Sequence, residues 1–394
     1  MPQLSTRSSG FSESVIRRMT RVALRYNAIN LSQGFPDFDP PKALTEELKV
    51  VADNGPHQYE ITWGSTLFRE NLAKKQEHFM KMPIDPQTQI VVTCGSTEAM
   101  MTAMMSVCNP GDKVIVFSPF YENYAADAIL SGAEPIYVPL KPPDFQFDKE
   151  ELRRAFATGA KALILCNPSN PSGKVFTKEE LTYIAELAIK YDTFVITDEV
   201  YEHIVYQPYQ HVYLATLPGM AERTLSCSSL SKTYSITGWR LGYIIGPADV
   251  IKVCRQVHDF LTVGAAAPLQ KAAAVGLTFT DDYYEGLAAL YERKRKLFLA
   301  GLDAVGLSYY KPQGAYYVLV DIGKFGAPND TEFCEWLTKE IGVAAVPGSS
   351  FFRENVSNYI RFHFAKKDET LKEALKRLQK LRTCSVPKHW KPQI

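Results

Sequence analysis

Short apolar segments that end in turns alternate with helical stretches from about residue 43 of this 394-residue chain. The clearest strand candidates are residues 90–93, 113–118, 162–167, 194–199 and 241–246. Residues 179–191 predict a helix between two of these strands, as a crossover connection requires. Strands that are apolar throughout are typical of a mostly parallel sheet with helices on both faces. The alternation therefore predicts an α/β fold.

The pattern changes near residue 281, where a long helical stretch begins. The elements predicted after it are a strand at 315–322, a helix at 331–341, a strand at 359–365 and a helix at 370–382. Residues 11–27 predict a short amphipathic helix. Since a domain averages roughly 150 residues, the chain has room for more than one. We expect a large domain over 46–285 and a smaller α+β domain built from residues 1–45 and 286–394.

Charge and cysteine usage restrict the class of protein. Lysine plus arginine is 44 and aspartate plus glutamate is 43, so no basic field predicts a nucleic-acid partner. The seven cysteines are scattered without a CxxC pair, which favours free thiols in a reducing compartment. No segment approaches the ~18 apolar residues of a membrane helix, and the N-terminus lacks the apolar core of a secretory signal. We expect a cytoplasmic protein with no membrane span and no metal site.

The most informative segment is SLSKTYSITGWRLG, residues 229–242. A lysine can bind an aldehyde as a Schiff base, and Lys232 lies among hydroxyl side chains. Ser229 and Arg240 could grip a phosphate on the same molecule, the arginine with two parallel hydrogen bonds. For an isolated lysine and arginine, the alternative is a solvated polar loop.

This segment resembles, position for position, the pyridoxal-phosphate attachment motif of the class I and II aminotransferases. In that motif a lysine among small residues is followed by Gly-x-Arg-apolar-Gly, and the similarity extends from about Asn30 to Leu381. The resemblance implies fold type I, which has a large domain with a mostly parallel, seven-stranded type of sheet and a smaller α+β domain. It also implies that the cofactor is pyridoxal 5'-phosphate (PLP).

Polar residues begin where the buried strand 194–199 ends, which is where open α/β sheets bind ligands. Asp198 alone could equally cap a turn. The resemblance implies that Asp198 pairs with the pyridine nitrogen of PLP and keeps it protonated, so that the ring can accept electrons. It also implies that Tyr201 hydrogen-bonds the 3′-oxygen of PLP. Asn170, in the turn-forming segment 167–173, matches the family asparagine that contacts the same oxygen and reaches the substrate carboxylate.

A phosphate site is expected at the junction after strand 90–93, because free N–H groups point outward where a helix begins. The resemblance assigns Gly95, Ser96 and Thr97 to this phosphate cup. It assigns Tyr121 to the ring that stacks on the cofactor, with Phe120 and Tyr124 as competing candidates.

Arg361 lies within an apolar, strand-like segment, and an arginine buried there would need an anion as partner. The resemblance implies that Arg361 clamps the α-carboxylate of the substrate and that Gly34 belongs to the loop closing over it. Tyr59 resembles a tyrosine that reaches the cofactor phosphate of the neighbouring subunit, which implies a homodimer with shared active sites. The family pattern after Tyr59 has a leucine where this chain has Phe68.

The expected activity is transamination between an L-amino acid and a 2-oxo acid. Lys232 would attach the cofactor and then act as the general base and acid at the substrate Cα, with Asp198 and Tyr201 assisting. Two other activities stay open: β-elimination on cysteine S-conjugates, and a non-catalytic sensor domain of the kind found in transcription regulators.

The substrate is the least constrained prediction. The segments around residues 11–20 and 28–41 resemble the branch that contains kynurenine, glutamine–phenylpyruvate and methionine aminotransferases. An aspartate aminotransferase would need a second arginine for the substrate side chain, and the sequence does not identify one. We therefore expect aromatic or neutral donors, with Phe11, Ile16 and Tyr121 as walls of the side-chain pocket.

Overall fold

The computed structural model describes residues 13–390. Its strands are β1 (Ile29–Asn30), β2 (Ile90–Thr93), β3 (Lys113–Ser118), β4 (Glu134–Lys141), β5 (Gln146–Phe147), β6 (Ala162–Cys166), β7 (Phe194–Asp198), β8 (Thr224–Ser229), β9 (Gly242–Ile245), β10 (Ser308–Tyr310), β11 (Tyr317–Asp321), β12 (Val343–Ala344), β13 (Val346–Pro347) and β14 (Tyr359–His363). Its α-helices are α1 (Val15–Arg25), α2 (Lys42–Asn54), α3 (Thr66–Met80), α4 (Ser96–Val107), α5 (Asn123–Leu130), α6 (Lys149–Ala157), α7 (Lys178–Lys190), α8 (Leu230–Thr233), α9 (Ala248–Thr262), α10 (Ala267–Ala273), α11 (Asp281–Val305), α12 (Asp330–Trp336) and α13 (Asp368–Leu378).

The large sheet has the strand order β2-β9-β8-β7-β6-β3-β4-β5. Strands β4, β3, β6, β7 and β8 are parallel, whereas β9 runs antiparallel to both β8 and β2. This arrangement confirms the mostly parallel α/β fold. The sequence did not predict β4 and β8, and the two-residue β5 adds an eighth strand at one edge.

Helices cover both faces of this sheet. On one face, Val91 and Ile244 pack with the buried side of α4, including Met100. On the other face, Tyr243 and Ile245 pack with α3 and α10. Alternate residues of one strand therefore enter different cores, which is why these strands are apolar along their whole length.

The second sheet has the order β10-β11-β14-β13 and its paired strands are antiparallel. It packs with α11 and α13 in a separate core. A short parallel pairing of Ile29 with Val343 joins the N-terminal segment to this part of the chain. The two sheets fall on opposite sides of residue 285, but the domain boundaries themselves stay a prediction. Within residues 13–390, no helix is both long and apolar enough to span a membrane.

Candidate active site

A cavity of about 420 Å³ opens at the carboxyl ends of β6, β7 and β8. Most of the predicted site residues line it: Gly34, Ser96, Thr97, Tyr121, Asn170, Asp198, Tyr201, Ser229, Lys232, Arg240 and Arg361. Parallel strands bring their carboxyl ends to one edge of a sheet. Residues that are far apart in the sequence therefore meet here.

Lys232 lies in the single turn of α8, directly after β8. Its Nζ donates a hydrogen bond to the carbonyl oxygen of Gly34 at 3.1 Å, and it forms no ion pair with a carboxylate of the described residues. Burial, and secondly the charge of Arg240, lower the pKa of Lys232 to about 8, although Asp198 opposes this shift. The uncharged amine is therefore accessible close to neutral pH, as a nucleophile or a general base requires.

Asp198 ends β7 with its side chain buried. The hydroxyl of Tyr124 donates to its Oδ2 at 2.7 Å. Burial raises the pKa of Asp198, whereas Tyr124 and Lys232 lower it. Burial and the charge of Asp198 also raise the pKa of the neighbouring Asp127 to about 8. A cationic ring nitrogen beside Asp198 would favour its ionised form.

The structure separates the three aromatic candidates of segment 119–124. Tyr121 lines the cavity and meets Tyr124 edge to face at 5.8 Å between ring centroids. Phe120 instead stacks on Tyr137 outside the cavity. Tyr124, considered only as a stacking ring from the sequence, has its hydroxyl on Asp198. Nothing in the sequence indicated that hydrogen bond.

The turn between β2 and α4 is tightly enclosed. Gly95 has a φ of 86°, and a Cβ on it would lie 2.3 Å from Nη2 of Arg240. A Cβ on Gly242 would lie 2.4 Å from the carbonyl carbon of Gly95. Only glycine fits either position, and the guanidinium of Arg240 lies against the turn where Ser96 starts α4. The free N–H groups of the first turn and this cation form a site suited to a phosphate.

Arg361 is fully buried on β14. Its Nη1 donates to Oδ1 of Asn170 and its Nη2 to the carbonyl oxygen of Ser32, both at 2.7 Å. Its Nε is buried and has no hydrogen-bond partner among the described residues. A Cβ on Gly34 would lie 2.2 Å from the hydroxyl oxygen of Tyr317, so this approach also requires glycine. The arginine keeps capacity for an anion, as a carboxylate clamp requires.

Tyr201 is positioned by a group of tyrosines that the sequence did not single out. Its hydroxyl lies 2.9 Å from the hydroxyl of Tyr317, and the hydroxyl of Tyr316 donates to the carbonyl oxygen of Gly34 at 2.8 Å. Burial raises the pKa of Tyr201, so the hydroxyl stays a hydrogen-bond donor. The only sequence signal was the pair of tyrosines within the predicted strand 315–322.

Helix α1 covers the mouth of the cavity. Glu122 accepts hydrogen bonds from the hydroxyl of Ser14 and from the backbone N–H of Val15, the latter at 3.2 Å. This anchor places Ile16 and Arg17 along the cavity wall. Ile16 lies where the sequence predicted, whereas Phe11 lies outside the described residues.

Two predicted site residues do not line the cavity: Gly95, which lies in the turn behind Arg240, and Tyr59. Tyr59 is 87% exposed. Its assignment to a neighbouring subunit stays a prediction.

The arrangement fits PLP. Lys232 provides an amine for an aldehyde, Asp198 a buried carboxyl for a ring nitrogen, and Arg240 a cation for a phosphate. The Nε of Arg361, which has no partner among the described residues, offers a hydrogen-bond donor for a carboxylate.

Comparisons with known proteins identify the same chemistry. The family model for aminotransferase class I and II matches residues 26–378. The solved structure of N-succinyldiaminopimelate aminotransferase from Mycobacterium tuberculosis is similar with a TM-score of 0.93 and 36% identity, covering 96% of this chain and 100% of that one. Methionine aminotransferase of Escherichia coli is 37% identical, over 97% of each chain. Kynurenine–oxoglutarate transaminase 3 of Mus musculus is 37% identical, over 93% of this chain and 88% of that protein.

Proposed function

The chain belongs to the class I and II aminotransferases, a family of PLP-dependent enzymes, and from this premise we propose its preferred substrates, its catalytic residues and its assembly. It transfers an amino group between an amino acid and a 2-oxo acid. We propose that donors with bulky or neutral side chains, such as phenylalanine, tyrosine, methionine, glutamine and kynurenine, are preferred over aspartate.

Lys232 carries the proposal for the reaction, because it is a lysine with a lowered pKa in a cavity and without an ion-pair partner among the described residues. When bound there, PLP supplies an aldehyde carbon for the amino group and a ring that accepts electrons. Ser96, Thr97, Ser229 and Arg240 would hold its phosphate, and Asp198 its ring nitrogen.

Once free of the aldehyde, Lys232 acts on the substrate proton. Its uncharged amine would take the proton from the substrate Cα as a general base and then give it up again as a general acid. Arg361 and Asn170 fix the α-carboxylate, so that the Cα–H bond faces Lys232. Tyr201 would offer its hydroxyl to the 3′-oxygen of PLP. One side chain thus moves the proton while its neighbours hold the reactants in place.

The walls of the cavity support the substrate preference. Tyr121 and Ile16 give the cavity an aromatic and an aliphatic surface, next to the charged Arg17. An apolar pocket separates side chains that differ by one methylene by only about 1–3 kcal/mol, so several donors are accepted. Relatives named for methionine and for kynurenine are consistent with this breadth.

A homodimer is proposed from Tyr59 and its surroundings. Tyr59 and Phe260 are 87% and 93% exposed, and Ile61 and Val263 add further exposed apolar surface. The loop and α9 that carry them are joined, since Nε2 of His258 lies 2.9 Å from the carbonyl oxygen of Thr62. A patch of this kind favours a protein partner. A monomer by sedimentation that still holds stoichiometric PLP would contradict it.

Free cysteines support a cytoplasmic location. All seven are unpaired, and five of them, including Cys166 and Cys254, have thiols whose pKa burial raises strongly. Such thiols are kept reduced in a reducing compartment.

The deciding experiment is a panel of amino donors against pyruvate, 2-oxoglutarate and phenylpyruvate, ranked by kcat/KM. Aromatic and neutral donors should lead. Aspartate at the top by about tenfold or more, which is 1.4 kcal/mol, would overturn the substrate proposal. Release of pyruvate and ammonia from a cysteine S-conjugate without any 2-oxo acid would identify β-elimination instead.

A further inference from the structure

His258 is a buried histidine outside the active-site cavity. It lies on α9 between two segments that serve the proposed phosphate site. Its Nδ1 lies 3.0 Å from Oε1 of Glu98 in the first turn of α4. Its Nε2 lies 2.9 Å from the carbonyl oxygen of Thr62, in the loop that carries Tyr59. One imidazole thus joins the phosphate turn to that loop.

The ring has three neighbours: Nε2 faces the carbonyl oxygen of Thr62, and Nδ1 faces Glu98 and, at 3.2 Å, the hydroxyl of Thr262. A backbone carbonyl cannot donate, so Nε2 must carry a proton. On the other side, Oε1 of Glu98 also accepts from the hydroxyl of Thr102 at 2.6 Å, and Oε2 accepts from the backbone N–H of Cys94 at 2.9 Å. Donors therefore surround this carboxyl, which is the environment of an ionised carboxylate. Nδ1 faces Oε1 of this carboxyl at 3.0 Å and forms an ion pair with it when the ring is protonated.

The position of Glu98 explains why a positive charge at His258 would matter for phosphate binding. Glu98 is the third residue of α4, two residues after Ser96, where the proposed phosphate cup lies. Its bond to the N–H of Cys94 holds the turn in shape. A negative charge in the first turn suits the helix dipole, but it repels a phosphate dianion bound at the same helix end. An uncompensated Glu98 would therefore weaken the site that it shapes.

We propose that His258 is a positioning residue for the phosphate site: its charge neutralises Glu98, and its second N–H fixes the loop of Tyr59 through Thr62. The pair lets a carboxylate order the phosphate turn without repelling the phosphate. This inference rests on the proposed phosphate site at Gly95–Thr97.

The test compares two ligands that differ only in the phosphate. The full chain is stripped of cofactor, and the dissociation constants of PLP and of pyridoxal are measured by absorbance titration. His258→Gln should weaken PLP binding about tenfold through unscreened repulsion while leaving pyridoxal binding within about twofold. His211→Gln removes another buried imidazole, one that has no contact with the phosphate turn, and should change neither constant. Equal weakening of both ligands by His258→Gln would overturn the proposal.

A second variant tests the charge itself. Adding Glu98→Gln to His258→Gln removes the whole neutral pair and should restore most of the PLP-to-pyridoxal affinity ratio. Glu98→Gln alone should not lower that ratio by more than about twofold, because it removes the charge that would repel the phosphate. If His258→Gln does not fold, this single variant decides. A tenfold loss of the ratio in Glu98→Gln would mean that the carboxylate helps to bind phosphate, which contradicts the proposal.

Arg240→Met separates failure of the inference from failure of the phosphate site. This variant should lower PLP affinity and spare pyridoxal affinity. If it does neither, the proposed phosphate site is wrong. If it does both but His258→Gln leaves the ratio unchanged, the phosphate site stands and the role of His258 is wrong.

Discussion

Two lysines with lowered pKa values, Lys232 and Lys75, lie in two polar clusters that use them in opposite ways. Lys232 faces the cavity and has one hydrogen-bond acceptor, the carbonyl oxygen of Gly34. Lys75, on α3, lies on the covered face of the sheet and donates to Gln76 at 2.7 Å and to Glu202 at 3.1 Å. Glu202 also accepts from Tyr213 at 2.7 Å. Burial raises the pKa of Glu202, but Lys75, His203, Tyr213 and His211 together lower it by more.

The comparison teaches that burial alone does not mark a catalytic lysine. Burial is the first cause of a lowered pKa in both Lys232 and Lys75. Lys75 forms an ion pair with Glu202 and a hydrogen bond to Gln76. Lys232, in contrast, has no carboxylate partner among the described residues. A perturbed pKa indicates a functional site only when the group is also open to a ligand. Removal of Lys232 should therefore mainly reduce activity, and removal of Lys75 should mainly reduce stability.

The largest effect is expected from Lys232→Ala. It should abolish the long-wavelength absorbance of bound PLP and lower turnover by about 10³-fold or more, since attachment and proton transfer are both lost. Its thermal midpoint should stay near that of the parent enzyme. Lys75→Met is the matched control and should keep the absorbance. Wild-type turnover in Lys232→Ala would show that Lys232 is not catalytic and would contradict the contrast with Lys75.

Stability should respond in the reverse order. Lys75→Met leaves the buried Glu202 carboxylate without its cation, at a cost of about 3–5 kcal/mol. The loss should appear as a lower urea midpoint, and Lys75→Met combined with Glu202→Leu should recover much of it. A urea midpoint unchanged by Lys75→Met would show that the ion pair does not stabilise the fold.

Arg361→Lys sharpens the functional side of the comparison. A lysine cannot make two parallel hydrogen bonds to a carboxylate, so kcat/KM should fall about 100-fold, mainly through KM. The urea midpoint should change far less than in Lys75→Met. Steady-state kinetics with a single donor decide, and an unchanged KM would mean that the substrate carboxylate binds elsewhere.

The smallest effect concerns acid stability. Burial lowers the pKa of His211 to about 4, whereas an unfolded histidine titrates near 6.5, so the unfolded chain binds more protons between those values. Protonation of His211 therefore does not reduce the free energy of unfolding above about pH 6.5, and it reduces this free energy increasingly as the pH drops towards 4. His211→Gln should remove about 2 kcal/mol of the loss between pH 7 and pH 5, measured by urea unfolding at both pH values. An identical loss in the variant would show that His211 titrates normally.

The large sheet was predictable wherever a strand is buried on both faces. Strands β2, β3, β6, β7 and β9 are continuous apolar runs, and each was expected within about a residue of its bounds. β8 was not predicted because it carries the polar residues Ser226 and Ser228, which are nevertheless buried. β4 escaped because it carries two prolines and is only partly buried.

The cavity residues were predictable because their motif fixes both residue type and spacing. The residues that support them were not, since their partners are distant in the sequence. Tyr124 acts through Asp198, 74 residues away, and Ser32 holds Arg361, 329 residues away. His258 resembles any histidine in an amphipathic helix until Glu98 and Thr62 are placed beside it.

Reductive labelling tests the central claim most directly, because it lets Lys232 and Lys75 compete for the cofactor. The PLP-loaded enzyme is treated with borohydride, digested and mapped by mass spectrometry. The account predicts one phosphopyridoxyl group per chain, on the peptide that contains Lys232, with the Lys75 peptide unmodified. A label on Lys75, or on any lysine other than Lys232, would contradict it.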